Sequence, residues 1–528
     1  MEASASTSAS ASVPSVPLTL RTSIPGLDLP PTQYLVPVTF ARSHLSTLVN
    51  RLLQQTKPEQ DHQSTPFDFI VDGQLLRDSL QSWLDKNGKT VEEGVELEYV
   101  KSTLPPRWAG AFQHDDWVGG IDASREGAFL TASYDSCIRL FSYASPQEPT
   151  LTYKVPSTSS SAAQGLVAAR WVKDGQVATA GLDGAVRLFS VPSTADATPR
   201  QLWWGTHHPI SVKGKAAAVP KASMGMGPSA LTSLDVAADG SGLVTASRDG
   251  SVAYWRLDEL RDVAAGAEQD AEDDDDEGDG SRKRRKAANG KNASSTPSQG
   301  KRPTALFWHS LPTTIAATST SAMPAHAPHP LSRVSSVIFH PSDPVHRCLT
   351  AGYDGKLIEW DLFSATRGGN PKVSVRGTSD SRAILCLAGM QGGEGKVVSG
   401  QMDRSLAIWD VSDSASSSSS TVVIPNAHAG PIYDVSAHPA DSHLFASAGG
   451  EGVVKVWDTR SHKRALFTLQ KPASATDAKG RIGGKLLACE WDRSKGEDGA
   501  GQSGQVVLAG GEDCAVNVFR GQGIGASA

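Results

Sequence analysis

The apolar residues of the chain follow one spacing pattern up to residue 100 and a different, repeated pattern from residue 114 onward. In the first part, alternating apolar residues predict short strands, at 18–22, 34–40, 67–71, 75–76 and 95–99. Leucines and a valine that recur three and four residues apart predict an amphipathic helix over 45–53. A second, short helix through Leu80 and Trp83 is expected to stop at Gly88. This order of elements over 16–100 predicts a small α+β domain of the β-grasp, or ubiquitin-like, type.

The second part repeats one hairpin pattern seven times, and residues 444–458 show it most clearly. A strand, a glycine-rich turn and a returning strand follow one another there, in LFASAGGEGVVKVWD. An acidic residue stands in the turn of each copy, at Asp135, Asp183, Asp249, Asp354, Asp403, Glu451 and Asp513. Four positions earlier stand Thr131, Thr179, Thr245, Thr350, Ser399, Ser447 and, in the last copy, Ala509. Six positions later stand Phe141, Phe189, Trp255, Trp360, Trp409, Trp457 and Phe519.

A hydroxyl, a carboxylate and an aromatic ring at these offsets can form one buried, hydrogen-bonded set within a small sheet. We therefore expect these residues to be structural. The Trp-Asp endings at Trp360, Trp409 and Trp457, with His114 and His428 upstream, resemble the WD-repeat β-propeller family. The resemblance implies an all-β, seven-bladed WD-repeat β-propeller over 114–519, preceded by the small α+β ubiquitin-like (β-grasp) domain. Phe for Trp in three copies departs from the family pattern without changing the number of blades.

The ends of the propeller predict how its ring closes. Blade seven ends at Phe519 and is followed only by a glycine-rich tail over 520–528, so that its fourth strand is missing at this end. Propellers commonly close with an N-terminal strand, and the linker 101–113, just before His114, is expected to supply it. Residues 1–15, which are rich in Ala and Ser, are expected to be a disordered tail.

Charge changes the picture in one place. The net charge of −6 argues against a surface that coats nucleic acid generally. Residues 258–300 hold an acidic run over 268–279 and then a basic cluster, Arg282, Lys283, Arg284, Arg285 and Lys286. With almost no apolar residue this segment cannot form a core, and we expect a disordered insertion. The basic cluster is interpreted as a nuclear-import signal, and a contact with RNA phosphates is the alternative.

Motifs for catalysis are missing from the sequence. A P-loop, a nucleophile elbow and a two-histidine metal motif do not occur, and the 14 histidines fall at blade starts or in loops. The five cysteines lack metal-ligand spacing and are expected to be reduced and buried. No apolar run reaches the roughly 18 residues that a membrane span needs. We therefore expect a binding platform and not an enzyme, with no cofactor, no membrane contact and no metal of its own.

Three further stretches carry a second resemblance. The segment PFDFIVDGQLLRDSL at 66–80, then Leu97-Glu98-Tyr99 and Leu104-Pro105-Pro106, followed by seven WD repeats, resembles ribosome-biogenesis factors with an N-terminal Notchless-like domain. Among them the chain is most similar to the WD-repeat subunits of PeBoW-type complexes. The resemblance implies a nucleolar and nucleoplasmic factor for 60S assembly and for maturation of 5.8S and large-subunit rRNA. It also implies a trimeric complex with Pescadillo-type and block-of-proliferation-type proteins.

The same resemblance implies a contact with midasin, an AAA-type ATPase that grips the ubiquitin-like domain and removes the factor from pre-60S particles. Its adhesion-type site leaves one position of a Mg²⁺ open, and a hard oxygen donor from a partner can fill it. Laid on the family pattern, Glu92 takes the position of the metal-contacting glutamate. Glu93 takes it if the loop is shifted by one residue. A solvated acidic loop is the plain alternative.

Two other functions stay open. A Notchless-type factor shares the small domain and the midasin contact but has one blade more, and the seven acidic turn positions favour the smaller ring. The stretch Trp457-Asp-Thr-Arg460 matches the loose Trp-Asp-x-Arg adaptor motif of substrate receptors of cullin ubiquitin ligases. Any repeat that ends in Trp-Asp has a fair chance of carrying such an arginine, so that this match is weak.

Overall fold

The computed structural model describes most of the chain. The described residues are 14–24, 26–56, 64–102, 105–125, 127–143, 148–157, 164–192, 198–207, 230–258, 301–309, 333–377, 382–392, 395–412, 422–472, 484–493 and 504–521. Within these ranges, one five-stranded sheet with two helices is followed by seven four-stranded sheets. The predicted fold class, a seven-bladed propeller preceded by a small ubiquitin-like domain, is confirmed.

The small domain has one five-stranded sheet with a parallel pair of strands inside it. Its strands are β1 Ser15–Arg21, β2 Gln33–Pro37, β3 Phe67–Val71, β4 Gln74–Leu75 and β5 Val95–Lys101. Its helices are α1 Arg42–Thr56 and α2 Leu80–Asn87, and a 3₁₀ turn, Val91–Glu93, precedes β5. The sheet order is β2-β1-β5-β3-β4, in which β1 and β5 run parallel with Leu18 opposite Val95. This is the arrangement of a β-grasp.

The core of the small domain comes from the alternating strand positions and one face of α1. Leu18, Phe67 and Leu97 on the strands are fully buried, and Leu45 and Val49 on α1 are buried against them. Each such side chain stabilises the fold by about 1.5–3 kcal/mol. The second strand ends at Pro37, before the expected end at residue 40, because the chain turns there. In that turn the Phe40 amide donates to the Pro37 carbonyl at 3.0 Å.

Each propeller blade is a four-stranded antiparallel sheet. Blade one consists of β7 Val118–Asp122, β8 Ala128–Ser133, β9 Cys137–Ser142 and β10 Leu151–Lys154. Blade two consists of β11 Leu166–Val172, β12 Gln176–Gly181, β13 Ala185–Ser190 and β14 Arg200–Thr206. Blade three consists of β15 Leu231–Val236, β16 Gly242–Ser247, β17 Ser251–Arg256 and β18 Ala305–Trp308. A 3₁₀ turn, Lys173–Gly175, joins β11 to β12.

The next three blades repeat this order. Blade four consists of β19 Val334–His340, β20 Asp343–Gly352, β21 Lys356–Asp361 and β22 Lys372–Gly377. Blade five consists of β23 Ile384–Gly389, β24 Lys396–Gln401, β25 Leu406–Asp410 and β26 Val422–Ile424. Blade six consists of β27 Ile432–Ala437, β28 Leu444–Gly449, β29 Val454–Asp458 and β30 Phe467–Leu469. A short helix, α3 Leu362–Thr366, joins β21 to β22, and the side chain of Asp361 caps its N-terminus.

The seventh blade is built from both ends of the propeller sequence. Its inner strands are β31 Leu486–Trp491, β32 Val506–Gly511 and β33 Ala515–Arg520, and its outer strand is β6 Arg107–Gln113. Strand β6 runs antiparallel to β33, with Gln113 opposite Ala515 and Arg107 opposite Arg520. The innermost strands pack on each other in chain order around the ring, and β31 packs back on β7. The ring is therefore closed.

Several sequence expectations fall at the edges of the described residues. Of the expected tail at 1–15, residues 1–13 lie outside the description, whereas Ser15 pairs with Pro37 at the start of β1. Of the expected insertion at 258–300, residues 259–300 lie outside it, and so do residues 522–528 of the C-terminal tail. Among the described helices, none is long and apolar enough to span a bilayer.

Candidate functional site

The expected metal-contacting glutamates lie on the turn that leads into β5. Glu92 and Glu93 belong to the 3₁₀ turn Val91–Glu93, and both side chains are exposed. Gly94 follows with φ at 71°, a left-handed backbone conformation that favours glycine and turns the chain into the strand. Neither carboxylate has a hydrogen bond or ion pair with another described residue. Both are therefore open to a partner.

The backbone on both sides of the two glutamates is anchored. Ser79 caps the N-terminus of helix α2, where its hydroxyl accepts from the Ser82 amide at 3.3 Å, and Gly88, with φ at 64°, caps the C-terminus. Lys89 then forms an ion pair with Asp72 at 2.6 Å. The side chain of Val91 packs against the core, and Val95 on the other side is buried. The turn therefore presents its carboxylates from a short, fixed loop.

The structure does not distinguish Glu92 from Glu93. Both lie in the same turn, both are exposed, and no described side chain orients either of them. The assignment to Glu92, with Glu93 as the alternative, stays a prediction.

The ubiquitin-like domain contacts the sixth blade through the connection between β29 and β30. The Arg77 guanidinium donates to the Leu466 carbonyl at 2.9 Å. At the neighbouring turn, a Cβ on Gly73 would lie 3.0 Å from Cε1 of His462, so that the small domain and the blade approach each other closely at this glycine. The small domain is thus held against one particular blade.

Arg460 is the central side chain of this contact. It donates to both carboxylate oxygens of Asp458, from Nε at 3.0 Å and from Nη2 at 2.7 Å. Its Nη1 donates to the Ser23 hydroxyl at 3.0 Å and lies 3.8 Å from Glu98. Arg460 is the arginine of the loose adaptor motif, and its guanidinium is already occupied within the chain.

The hydroxyl, acid and aromatic residues of each repeat lie close together in the blades, and their hydrogen bonds differ between blades with tryptophan and blades with phenylalanine. In blades three to six the indole N–H donates to the hydroxyl four positions before the turn acid. The four pairs are Trp255 to Thr245 at 2.9 Å, Trp360 to Thr350 at 2.7 Å, Trp409 to Ser399 at 2.8 Å and Trp457 to Ser447 at 2.9 Å. These hydroxyls and rings are buried. We call these four sheets the Trp blades.

Blades one, two and seven carry phenylalanine and use a different partner for the turn acid. A polar side chain four positions after the acid contacts it. Arg139 lies 2.6 Å from Asp135, Arg187 forms an ion pair with Asp183, and the Asn517 amide donates to Asp513 at 2.9 Å. We call these sheets the Phe blades. The phenyl ring has no donor, and the polar residue on the same strand engages the acid instead.

In four blades a histidine contacts the hydroxyl four positions before the turn acid. The sequence pattern indicated only two of these histidines. His114 lies 2.9 Å from Thr131, and His428 lies 2.7 Å from both Ser447 and Glu451. The other two are His207, 2.8 Å from Thr245, and His309, 2.7 Å from Thr350. The separations along the chain are 17 and 19 residues in the first two pairs and 38 and 41 in the second two. Because long connections separate His207 from Thr245 and His309 from Thr350, a fixed spacing along the chain did not predict these two contacts.

Burial lowers the pKa of two of these histidines, His114 and His428. It lowers the pKa of His114 to about 4, and the nearby positive charge of Arg139 adds to the effect. Burial also lowers the pKa of His428, although the Glu451 carboxylate opposes it. A neutral imidazole can donate from one ring nitrogen and accept at the other, as a bridge between two polar groups requires.

Carboxylates on the innermost strands join neighbouring blades. Asp122 accepts from the Trp171 amide at 2.6 Å, Asp235 from the Phe339 amide at 2.7 Å, and Asp434 from the Cys489 amide at 2.8 Å. Burial raises the pKa of Asp434 to about 7, with Glu490 contributing and Arg170 opposing. These bonds cross the seams between blades and stabilise the ring.

The remaining candidates add no second site. The basic cluster Arg282 to Lys286 lies outside the described residues. The five cysteines are free, and all except Cys137 are buried. Within the described ranges, no group of three His, Cys, Asp or Glu side chains is placed to hold a metal ion.

Comparison with known proteins agrees with this two-part architecture. Residues 16–84 match the family described as NLE (NUC135) domain, and residues 110–142, 223–256 and 419–458 match the WD domain, G-beta repeat. A protein of Laccaria bicolor named Ribosome biogenesis protein YTM1 is 28% identical, over 93% of this chain and 95% of its own length. Proteins of the same name from Aspergillus niger and Pyrenophora tritici-repentis are 27% and 25% identical, over 94% and 96% of this chain and 92% and 97% of their own lengths.

The likeness therefore extends over nearly the whole chain and includes both parts. The chain carries an NLE domain and WD repeats, as expected from its sequence, and is similar to WD-repeat ribosome-biogenesis factors.

Proposed function

We propose that this protein is a non-enzymatic assembly factor of the 60S ribosomal subunit. The observation that carries the proposal is the full-length similarity to proteins named for ribosome biogenesis, in both the small domain and the repeats. A rigid ring of seven blades with a second domain fixed to it offers several surfaces for partners and suits a scaffold in a large particle.

The protein acts in a PeBoW-type complex, with a Pescadillo-type and a block-of-proliferation-type protein, in maturation of 5.8S and large-subunit rRNA. It works in the nucleolus and nucleoplasm, and the basic cluster Arg282 to Lys286 directs its import. The names of the relatives support a place on pre-ribosomal particles, and the partners and the location are part of our proposal.

Its release from the particle depends on Glu92. Midasin grips the ubiquitin-like domain when the Glu92 carboxylate completes the coordination of the Mg²⁺ in its adhesion-type site. Two features of the chain support this: the carboxylate is exposed and has no partner of its own, and its turn is anchored on both sides. A hard cation favours such an oxygen donor over a nitrogen or sulfur ligand.

The test compares Glu92→Ala with Glu93→Ala in the full-length protein. Binding to the purified adhesion-type domain of midasin is measured with Mg²⁺ and with EDTA. We expect Glu92→Ala to lose binding at least tenfold and to accumulate on pre-60S particles, with Glu93→Ala close to wild type. Glu96→Ala, a change of the same charge on β5, serves as the control. Loss with Glu93→Ala alone would move the contact by one residue, and normal binding by both variants would refute it.

Two alternatives receive less support from the geometry. The described four-stranded sheets number seven, which disfavours a Notchless-type ring with an additional blade. The adaptor-like Arg460 bonds Asp458 and Ser23 and faces the ubiquitin-like domain, where a cullin adaptor would have to displace that domain first. Co-purification with large-subunit factors and not with a cullin adaptor is the expected result.

A further inference from the structure

Each blade places two residues side by side at one end of the ring, which we call the upper rim. One directly precedes the turn acid, and the other directly precedes the innermost strand. A backbone hydrogen bond of 2.8–3.0 Å joins them in every blade: Tyr134 to Trp117, Leu182 to Gly165, Arg248 to Ala230, Tyr353 to Arg333, Met402 to Ala383, Gly450 to Pro431 and Glu512 to Lys485. The seven pairs occupy equivalent positions and differ only in their side chains.

The rim is basic on one side. Arg248 of blade three and Arg333 of blade four occupy rim positions, and Arg404 of blade five lies two residues after the rim residue Met402. None of the three has an ion pair or side-chain hydrogen bond with another described residue. We call these three residues the arginine rim. Elsewhere the charges of the rim are paired, since Lys485 lies 3.0 Å from Glu512 in blade seven. The arginine rim is therefore an exception to the charge pairing of the same surface.

The three arginines belong to adjoining blades whose innermost strands are bonded at this end. The Thr232 hydroxyl donates at 2.9 Å to the carbonyl of Val334, the residue after Arg333. The Ser335 hydroxyl donates at 2.5 Å to the carbonyl of Ile384 and so joins blade four to blade five. Burial and the like charge of Arg333 both lower the pKa of Arg248. Two guanidinium groups thus repel each other across one seam, and a bound anion would relieve that repulsion.

The surroundings add apolar and aromatic surface, and the turn acids beside the arginines have other partners. Asp249 accepts from the Ser251 hydroxyl at 2.6 Å, Asp354 lies 3.2 Å from His309, and Asp403 forms an ion pair with Arg382 at 2.7 Å. Met402, on the rim of blade five, is 46% exposed, and Tyr353 lies half-buried between Arg333 and the turn of blade four. The connections 208–229 and 310–332, which lead into blades three and four, contain three lysines and no Asp or Glu in their sequence.

We propose that the arginine rim is a docking surface for an acidic segment of a protein partner. Its carboxylates bind between Arg248 and Arg333, and its apolar side chains pack on Met402 and Tyr353. Arginine, tyrosine and methionine are the residues enriched in protein–protein interfaces. A nucleic acid gains its affinity from many phosphate contacts, and three separated arginines beside an exposed methionine supply few of them. The composition therefore favours a protein.

The inference rests on the proposed function only in placing the protein within a complex. Glu92 belongs to the ubiquitin-like domain and the arginine rim to the propeller, so that the two contacts can be lost separately. A Glu92→Ala protein that is released normally but still docks through the rim would refute the release step alone. A rim variant that loses the partner but still binds the midasin domain would show the reverse separation.

The experiment uses the full-length protein in cells, with a photo-crosslinking benzoylphenylalanine in place of Met402. Crosslinked peptides and nucleotides are identified by mass spectrometry, in the wild-type background, in Arg248→Glu with Arg333→Glu, and in Arg248→Lys with Arg333→Lys. We expect a protein crosslink whose peptide holds at least two acidic residues. It should fall at least tenfold in the glutamate variant and persist in the lysine variant.

A charge reversal at Lys485, on the paired part of the same rim, is the matched control and should leave the crosslink unchanged. The thermal midpoint of each variant shows whether the ring is folded. The lysine variant keeps the test valid if the glutamate variant is unstable, because it changes shape and hydrogen bonding without changing charge. A crosslink to RNA, a peptide without acidic residues, an equal yield in the glutamate variant, or no crosslink above the level of an unmodified chain would each overturn the proposal.

Discussion

The Trp blades and the Phe blades solve one structural problem with different side chains. In a Trp blade the indole N–H bonds a buried hydroxyl, as Trp255 does with Thr245. In a Phe blade the ring has no hydrogen-bond donor. A charged or amide side chain on the same strand binds the turn acid instead, as Arg187 does with Asp183. The backbone hairpin is the same in both. The comparison teaches that this repeat requires a satisfied turn acid more strictly than it requires any particular residue.

The difference also changes where the stability of each blade is concentrated. A neutral network spreads it over several hydrogen bonds of about 0.5–1.5 kcal/mol each. A buried ion pair concentrates it in two side chains, and the loss of one leaves the other as an uncompensated charge. Three experiments can break or sharpen this comparison.

The largest effect is expected from Arg187→Met in blade two. The side chains of Arg187 and Asp183 are only 3% and 5% exposed, so that the variant leaves a buried carboxylate without its counter-charge. We expect a loss of about 3–5 kcal/mol in the free energy of unfolding, seen as a lower urea midpoint. In the Trp blade six, Lys455 lies 3.8 Å from Glu451 and is 22% exposed, and Lys455→Met should cost about 1 kcal/mol or less. Equal losses would contradict the comparison.

A second, intermediate effect concerns acid. The pKa of His114 is about 4 in the folded protein, below its ordinary value of 6.5, since burial and Arg139 disfavour the proton. The unfolded chain therefore binds a proton that the folded chain does not, and stability falls as the pH drops from about 6.5 to about 4. The contribution reaches about 3 kcal/mol at the acid end.

The measurement is the urea midpoint of the wild-type protein, His114→Gln and His428→Gln between pH 4 and pH 7.5. Removing His114 should flatten the pH dependence in this window more than removing His428, because Glu451 opposes the lowered pKa of His428. Comparing the slopes, and not the stabilities, separates the histidines from Asp434, whose raised pKa acts in the opposite direction. Parallel curves for all three proteins would refute the assignment.

The smallest effect separates two threonines at the same position of the repeat. Thr245→Val in a Trp blade removes the bonds to Trp255 and His207 and should cost about 1–3 kcal/mol. Thr179 in the Phe blade two has a buried hydroxyl without a partner, and Thr179→Val should change the stability by about 0.5 kcal/mol or less, or increase it. Urea midpoints of the two variants measure both. A large loss with Thr179→Val would show that the Phe blades depend on the hydroxyl after all.

The sequence predicted the hairpins well because their determinants are local. The hydroxyl, the acid and the aromatic ring of one repeat all lie within a stretch of adjacent strands, so that fixed offsets reveal them. Trp409 and Ser399 are ten residues apart and bond as that spacing suggests. The strand before the propeller was expected for a similar reason, since the last repeat lacks an outer strand of its own.

Contacts between distant parts of the chain could not be predicted in this way. Arg460 bonds Ser23 across 437 residues, and no periodicity relates the two positions. The bond between His309 and Thr350 was not expected either, since a connection of variable length separates the two residues. Glu92 was assigned by laying its segment on the family pattern, whereas the choice between Glu92 and Glu93 depends on a partner that the chain alone does not contain.

Closure of the seventh blade by β6 sets the order in which the molecule can be completed. Strand β6 is translated before the first blade, and its partner β33 is translated only after the other six blades, with Gln113 opposite Ala515. At the usual synthesis rate of about 5–20 residues per second, β6 waits roughly 20–80 s for that partner. During this time its unpaired edge and the incomplete ring are exposed to other chains. Completion of the ring therefore waits for β33, and shielding of the β6 edge until then would reduce pairing with other chains.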